Sequence, residues 1–459
     1  MLGAGHPSSS FERVQVNSRG WCRGPPTLPG DGVRPSGGAV GVSAGGSAGV
    51  LARWGMTRTQ TALLCAATLF AATLQSTAGV AVAAGGGGRD GQACVSTPEP
   101  LRGKARQVDR IVGQVKDELG LKAVLFKVTQ GGREIVTGAQ GESMTGVPAG
   151  PGMHFRAGSV AIAFMGTVLL QLVEEGEVGL DDPVSRWLPG LPHGDEITLR
   201  MLGSSTSGLV DYVRDPGFLA ALAAEPFRQW TPEELVGIST AQDLWYEPGT
   251  SWSYSHANFV LLGEALERIT GTRLDRLLEE RVMGPLGLRN TRNGFTPEIE
   301  SPVLHAFTAE RGTYEESTFW NPSWTTAPGA VLTTHICDLE RSARAIGGGE
   351  LLDRRSFRVQ LDPGTVGLGG ATETCPADVC LLNTEARHFG LGILVVNDWV
   401  VQNPSFSGYA ALQAYLPQSR LSIAVSATKG PDTPDGNAAQ VIAERISQLL
   451  APQNPLGLR

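Results

Sequence analysis

The residues of this chain that could do chemistry gather around one serine. Ser159 stands at the head of the stretch Phe155–Asp182 (FRAGSVAIAFMGTVLLQLVEEGEVGLDD), whose spacing predicts a long amphipathic helix opening just after it. A hydroxyl so placed can attack a carbonyl carbon only if a neighbour relieves it of its proton. Positions i and i+3 share one helix face, so the best-placed neighbour is Ile162, and a branched alkyl group accepts no proton. The chain holds five lysines, none of them between Lys127 and Lys429, so a shifted register supplies no amine. The one S-x-x-K string, Ser426-Ala427-Thr428-Lys429, closes a β-patterned run ahead of Gly430-Pro431 and cannot sit on a helix. The plain alternative for Ser159 is an N-cap that opens a core helix.

The elements that must position this serine follow from periodicity. Arg102–Leu119 has helical spacing, and Lys122–Val128 and Glu134–Thr137 flank Gln130-Gly131-Gly132 as a hairpin. Beyond the Ser159 helix, helical segments alternate with Pro/Gly loops from Pro183 to Asn321; Asn258–Thr270 and Leu274–Met283 are the clearest. Ile336–Ala345 reads as a helix and Gly349–Glu385 as loop-rich. Phe389–Val396, Ala410–Leu416 and Leu421–Thr428 read as strands, and Ala438–Leu450 as the closing helix. The expected fold is α/β: an antiparallel sheet flanked by helices and formed from both chain ends, with a mostly helical subdomain inserted at about 183–325. The whole domain should run from 100 to 455.

Composition bounds the rest. The chain has 459 residues, 41% of them hydrophobic, so it can bury a large core. Its net charge of −8, without a basic stripe, argues against a nucleic-acid partner. Residues 1–55 are Gly-, Ser-, Pro- and Arg-rich without apolar period and read as a disordered or untranslated leader. Met56 begins an export signal, residues 56–83: Arg58, the apolar run Thr61–Val82, then Ala81-Val82-Ala83 as a cleavage site, with a Gly-rich linker at 84–99; the alternative is an uncleaved membrane anchor, for which the run is long enough but diluted by Thr, Gln and Ser. Export into the cell envelope or medium is expected. Cleavage leaves Cys94, Cys337, Cys375 and Cys380, an even number; Cys375 and Cys380 could bridge locally or stay free. No paired-histidine spacing accompanies them, so neither a metal nor any other cofactor is expected.

Further stretches fall in a telling order. Leu180-Asp181-Asp182-Pro183 and Trp187-Leu188-Pro189 follow the Ser159 helix. Ile197-Thr198-Leu199-Arg200 leads into Ser204–Leu209, and Glu247-Pro248-Gly249-Thr250 into Trp252-Ser253-Tyr254-Ser255. Gly284-Pro285-Leu286-Gly287-Leu288 and Ala327–Thr334 come after. In this order the chain resembles, over about residues 100–450, the serine β-lactamase and penicillin-binding-protein superfamily, in particular the branch of class C β-lactamases, DD-peptidases and related esterases.

The resemblance implies acyl transfer through a covalent acyl-serine, with Ser159 at the nucleophile position and Ile162 where S-x-x-K carries its lysine. It places Tyr254 at the tyrosine of Y-x-N, a proton shuttle in the family, and His256 where the asparagine would stand. It places Gln402, Asn403 and Ser405 on the substrate-side strand, around Pro404. Residues 397–409 hold no Lys, Arg or His, so the K-T-G or H-x-G motif has no counterpart. Asp181-Asp182 read as a structural element, and Trp245, Trp252, Trp320 and Trp324 as cleft lining or core. Pro404–Tyr409 lacks the G-x-S-x-G order of an α/β-hydrolase elbow. A positioned acid–base group contributes about 10²–10⁴ in rate and an oxyanion donor about 10²–10³. With both motifs degraded, the leading expectation is a non-catalytic relative that binds a peptide, cell-wall or acyl ligand. The competing expectation is an active serine hydrolase, an esterase, DD-peptidase or β-lactamase-like enzyme, that pairs Ser159 with His256 or Tyr254.

Overall fold

The computed structural model describes residues 93–458. The expected leader, the export signal and residues 84–92 of the linker lie outside the described residues.

One antiparallel sheet organises the domain. From one edge its strands run Val147–Pro148, Arg133–Met144, Ala123–Gln130, Leu421–Thr428, Tyr409–Leu416, Trp399–Gln402, Leu394–Val396 and Arg387–Phe389, with Ser405–Phe406 also paired to Tyr409–Leu416. The two chain ends therefore meet in the centre of the sheet, where Ala123 pairs with Thr428 and Gln130 with Leu421. Gly131 and Gly132 both take positive φ, 61° and 79°, as the two-residue hairpin between Gln130 and Arg133 requires. Tyr409–Leu416 is buried along its whole length because both sheet faces are covered. Ala410, Leu412, Ala414 and Leu416 pack with the helices Gly103–Glu118 and Ala438–Leu450, whereas Tyr409 and Ala411 face the larger core around the Ser159 helix.

That helix, Val160–Glu174, is not amphipathic as its spacing suggested: every residue from Val160 to Leu170 is buried. A helix apolar all round belongs in the centre of a large core. Its close neighbour is the turn at 390–393. A Cβ on Gly166 would stand 2.4 Å from the carbonyl oxygen of Leu391, and one on Gly392 2.5 Å from that of Ile162, so both positions need glycine. The same turn splits the expected strand Phe389–Val396 into Arg387–Phe389 and Leu394–Val396, a hairpin folded over the helix. Two further expectations need correction. Leu274–Met283 is a short α-helix, Leu274–Leu278, followed by a π-turn, Glu279–Met283, and the loop-rich stretch after Gly349 contains the helix Arg354–Leu361.

Two disulfides tie the chain. Cys94–Cys337 pins the segment ahead of the first helix to the helix Ile336–Gly347, and Cys375–Cys380 closes a small loop. Among the described residues no helix is long and apolar enough to cross a membrane.

Candidate active-site cleft

Ser159 sits where the chain turns from the strand Phe155–Arg156 into the central helix. Gly158 makes that turn at φ +35°. Ser159 occupies the N-cap position, yet its side chain makes no capping bond, so the hydroxyl is not consumed by the helix. Its N–H donates to no protein acceptor among the described residues, which leaves one backbone donor free to hold a carbonyl oxygen. Ile162, one turn on, is 1% exposed and packed in the core.

The side chain beside the Ser159 hydroxyl is Tyr254, whose phenol is close enough for that hydroxyl to act on its titration. Tyr254 keeps some exposed surface, but dense packing dominates its titration. Burial first, and the negative Asp211 second, push the phenol well above its ordinary value, and the Ser159 hydroxyl pulls it back only in part. At neutral pH this phenol keeps its proton, so it cannot serve as the base for Ser159.

His256 opens the helix His256–Thr270, two residues earlier than the expected start at Asn258. Its Nδ1 lies 3.1 and 3.0 Å from the two carboxylate oxygens of Asp211. An ionised carboxylate only accepts, so Nδ1 carries the hydrogen and Nε2 is the acceptor in the neutral ring. The ring stands edge-on to Tyr254 at 5.1 Å between centroids and 6.1 Å from Trp324. Among the described residues no hydrogen bond joins His256 to Ser159. Asp211 also accepts from the backbone N–H of His256 at 3.2 Å and of Val213 at 3.3 Å. Sequence reasoning passed over Asp211. Its one signal is an Asp capping the next turn, and its partner is 45 residues away.

The substrate-side strand is interrupted. Trp399–Gln402 and Ser405–Phe406 both pair with Tyr409–Leu416, and Pro404 stands between them. A Cβ on Gly158 would lie 3.3 Å from Pro404 Cβ, so the interruption abuts the Ser159 turn. The side chain of Gln402 is buried and donates to the carbonyl of Gly392, and that of Asn403 donates to Gln440 Oε1 at 3.3 Å. Of the three candidates on this strand, Ser405 alone is exposed. Phe406 packs against Trp324 with ring centroids 5.9 Å apart, an aromatic contact beside the interruption at Pro404. The guanidinium of Arg156 lies 5.5 Å from the Phe406 ring, but it is 2% exposed and bonds through Nη2 to the carbonyls of Pro297 and Thr318. Burial lowers its pKa to about 10. It is a structural cation rather than a replacement for the lost motif. Asp181 and Asp182 are likewise structural: the first forms a bidentate pair with Arg200 at 2.7 and 2.8 Å, the second accepts from Gly179 N–H at 2.8 Å.

A free serine at the head of a buried helix, a tyrosine beside its hydroxyl and an antiparallel sheet built from both chain ends define the serine β-lactamase and penicillin-binding-protein type of fold. The chain belongs to the Beta-lactamase family, whose model matches residues 108–446. It is 31% identical over 199 residues to esterase EstB of Burkholderia gladioli, covering 40% of this chain and 50% of that protein. It is 30% identical over 220 residues to penicillin-binding protein 4 of Amycolatopsis lactamdurans, covering 44% and 52%. The chain thus spans about half the length of these curated relatives. Among solved structures it is similar to a D-stereospecific amidohydrolase from Streptomyces sp., with a TM-score of 0.61 at 26% identity, covering 71% of this chain and 94% of that one. The fold is shared with D-amino acid amidase from Ochrobactrum anthropi SV3, with a TM-score of 0.62 at 20% identity, covering 76% and 99%.

Proposed function

We propose that this protein is an exported, non-acylating member of its family that binds a neutral peptide, cell-wall or acyl ligand in the Ser159 cleft. One observation carries the reading: the group beside the Ser159 hydroxyl is a phenol that holds its proton, and the next helical turn offers only Ile162. The Ser159 N–H and hydroxyl and the Tyr254 hydroxyl can still receive a carbonyl, with Trp324 and Phe406 as an apolar wall. The absence of cations over 397–409 disfavours a ligand with a free carboxylate on that side. The two disulfides support export, since such bridges persist in oxidising compartments.

The test is mass spectrometry after incubation with a labelled penicillin and, separately, with an acyl-directed fluorophosphonate. Unmodified Ser159 is the expected result; a stoichiometric adduct overturns it. Ligand-observed NMR with D-phenylalanine amide tests binding, with Phe406→Ala weakening it.

The Asp211–His256 pair favours a second reading. A carboxylate that fixes an imidazole tautomer is the orienting half of a serine–histidine–acid arrangement. Movement of His256 onto Ser159 would complete it. Turnover of a chromogenic ester that vanishes in both Ser159→Ala and His256→Gln would establish this reading in place of the first.

A further inference from the structure

The loop closed by Cys375–Cys380 does more than tidy the surface. Cys375, Val379 and Cys380 are buried as a small apolar cluster against Trp245 and Tyr246. Thr374 Oγ1 adds a bond to the carbonyl of Trp245 at 2.6 Å. From there two routes lead into the cleft. Trp245 N–H donates to Gly208 O at 2.8 Å, and a Cβ on Gly208 would lie 2.2 Å from Tyr246 O, so this segment is pressed onto the chain just before Asp211. The Tyr246 hydroxyl reaches Ser253 Oγ at 3.1 Å and Ser205 O at 3.4 Å, and Ser253 precedes Tyr254. The loop also grips the far side of Asp211, because Asp378 pairs with Arg214, three residues beyond it.

We propose that the Cys375–Cys380 loop is the positioning element of the Asp211–His256 pair. Asp211 and His256 come from segments 45 residues apart in sequence. Their contact depends on how the 205–214 and 245–256 segments are held together, and the loop touches both. The Asp378–Arg214 pair is solvent-exposed at both ends and contributes little by itself. The work falls on the buried cluster, whose shape the bridge fixes by restricting a short, otherwise mobile stretch. This inference takes from the proposed function the reading that the pair borders the ligand cleft.

The test compares two bridge deletions in the full chain. In Cys375→Ser/Cys380→Ser the sharp side-chain Nδ1–H NMR resonance of His256, assigned by its loss in His256→Gln, should broaden or disappear, and binding of D-phenylalanine amide should weaken. In Cys94→Ser/Cys337→Ser the melting temperature should fall while the His256 resonance persists. A His256 resonance unchanged in the first variant overturns the proposal and leaves the loop a structural ornament. Should that variant fail to fold, Thr374→Val/Asp378→Asn keeps the bridge and removes the polar grips. Because those grips are secondary, the deciding fallback is Val379→Ala, which keeps the bridge and loosens the buried cluster; it should broaden the same resonance, and an unchanged resonance there again counts against the proposal. The His256 readout needs no ligand, so absence of amide binding in the wild-type protein would sink the ligand reading alone.

Discussion

The carboxylate of Asp211 holds the imidazole of His256 through both its oxygens, at 3.1 and 3.0 Å, and so fixes the ring's one hydrogen on Nδ1. Asp211 also sets the electrostatics of Tyr254, the residue beside the serine. The two neighbours of the Tyr254 phenol act in opposite directions: the negative charge of Asp211 raises its pKa and the Ser159 hydroxyl lowers it. Asp211→Asn should therefore bring Tyr254 titration to lower pH, and Ser159→Ala should send it higher. Phenolate absorbance in the first milliseconds after a jump to alkaline pH, ahead of the unfolding expected there, with Tyr254→Phe as the blank, reads both. Shifts of the same sign in the two variants would contradict the arrangement.

Asp211→Asn should also cost stability. The carboxylate is buried and serves His256 Nδ1 and the N–H groups of His256 and Val213. An amide can keep some of these bonds, but its NH₂ must then face a donor. A loss of about 1–3 kcal/mol is expected in urea unfolding, against less than about 0.5 kcal/mol for an exposed substitution such as Asp117→Asn.

Alkali should unfold the domain sharply. Tyr212, Tyr246, Tyr254 and Tyr409 all have pKa values raised, in each case first by burial, Tyr246 to about 12. Two of these phenols donate to backbone carbonyls, Tyr212 to Trp324 and Tyr409 to Leu304, each at 2.5 Å, and a phenolate has no hydrogen to give. A folded-state pKa above the unfolded value near 10 means the stabilisation is complete below pH 10. It is lost as pH rises from there through the folded values. Melting temperatures from pH 8 to 12 should hold and then fall steeply above 10; a flat profile would show that these phenols are not closed off from water.

How much of this was legible beforehand differs by element. The Ser159 helix, the sheet built from both chain ends and the hairpin at Gly131-Gly132 follow from period and turn chemistry, which are local. The split at 390–393 did not, because an apolar run gives no hint that Gly392 must lie against the Ile162 carbonyl. Tyr254 and His256 could be named only through the resemblance to the family's Y-x-N motif, and the partner of the His256 ring is Asp211, a contact between distant segments. Gln402 ends the strand Trp399–Gln402 and Asn403 lies in the interruption after it, and only the neighbouring turn and helix show that their side chains are spent on Gly392 and Gln440.

The two bridges should separate by size. Cys94–Cys337 spans 243 residues and Cys375–Cys380 spans 5. On the chain-entropy account, loss of the first costs about 5 kcal/mol and loss of the second about 2 kcal/mol. Denaturant midpoints of the two serine double variants check the order. A larger loss from the short loop would point to enthalpic packing at Trp245 and Tyr246 as its main contribution.

Restoring the missing lysine is the most direct challenge to the proposed function. Ile162→Lys puts an ammonium at a site 1% exposed, inside the central core. The amine could reach toward Tyr254 and Ser159, but no carboxylate is bonded to either hydroxyl, so its charge must be borne by a desolvated pocket or given up. A destabilisation of about 2–5 kcal/mol is expected. Ile162→Met, which keeps volume and polarity, should cost less than about 1.5 kcal/mol. Acylation by labelled penicillin should remain undetectable in Ile162→Lys, because residues 397–409 still offer no cation and Pro404 still interrupts the strand beside Gly158. A folded Ile162→Lys protein that acylates on Ser159 would show that the base alone was missing and that the substrate side of the cleft is intact.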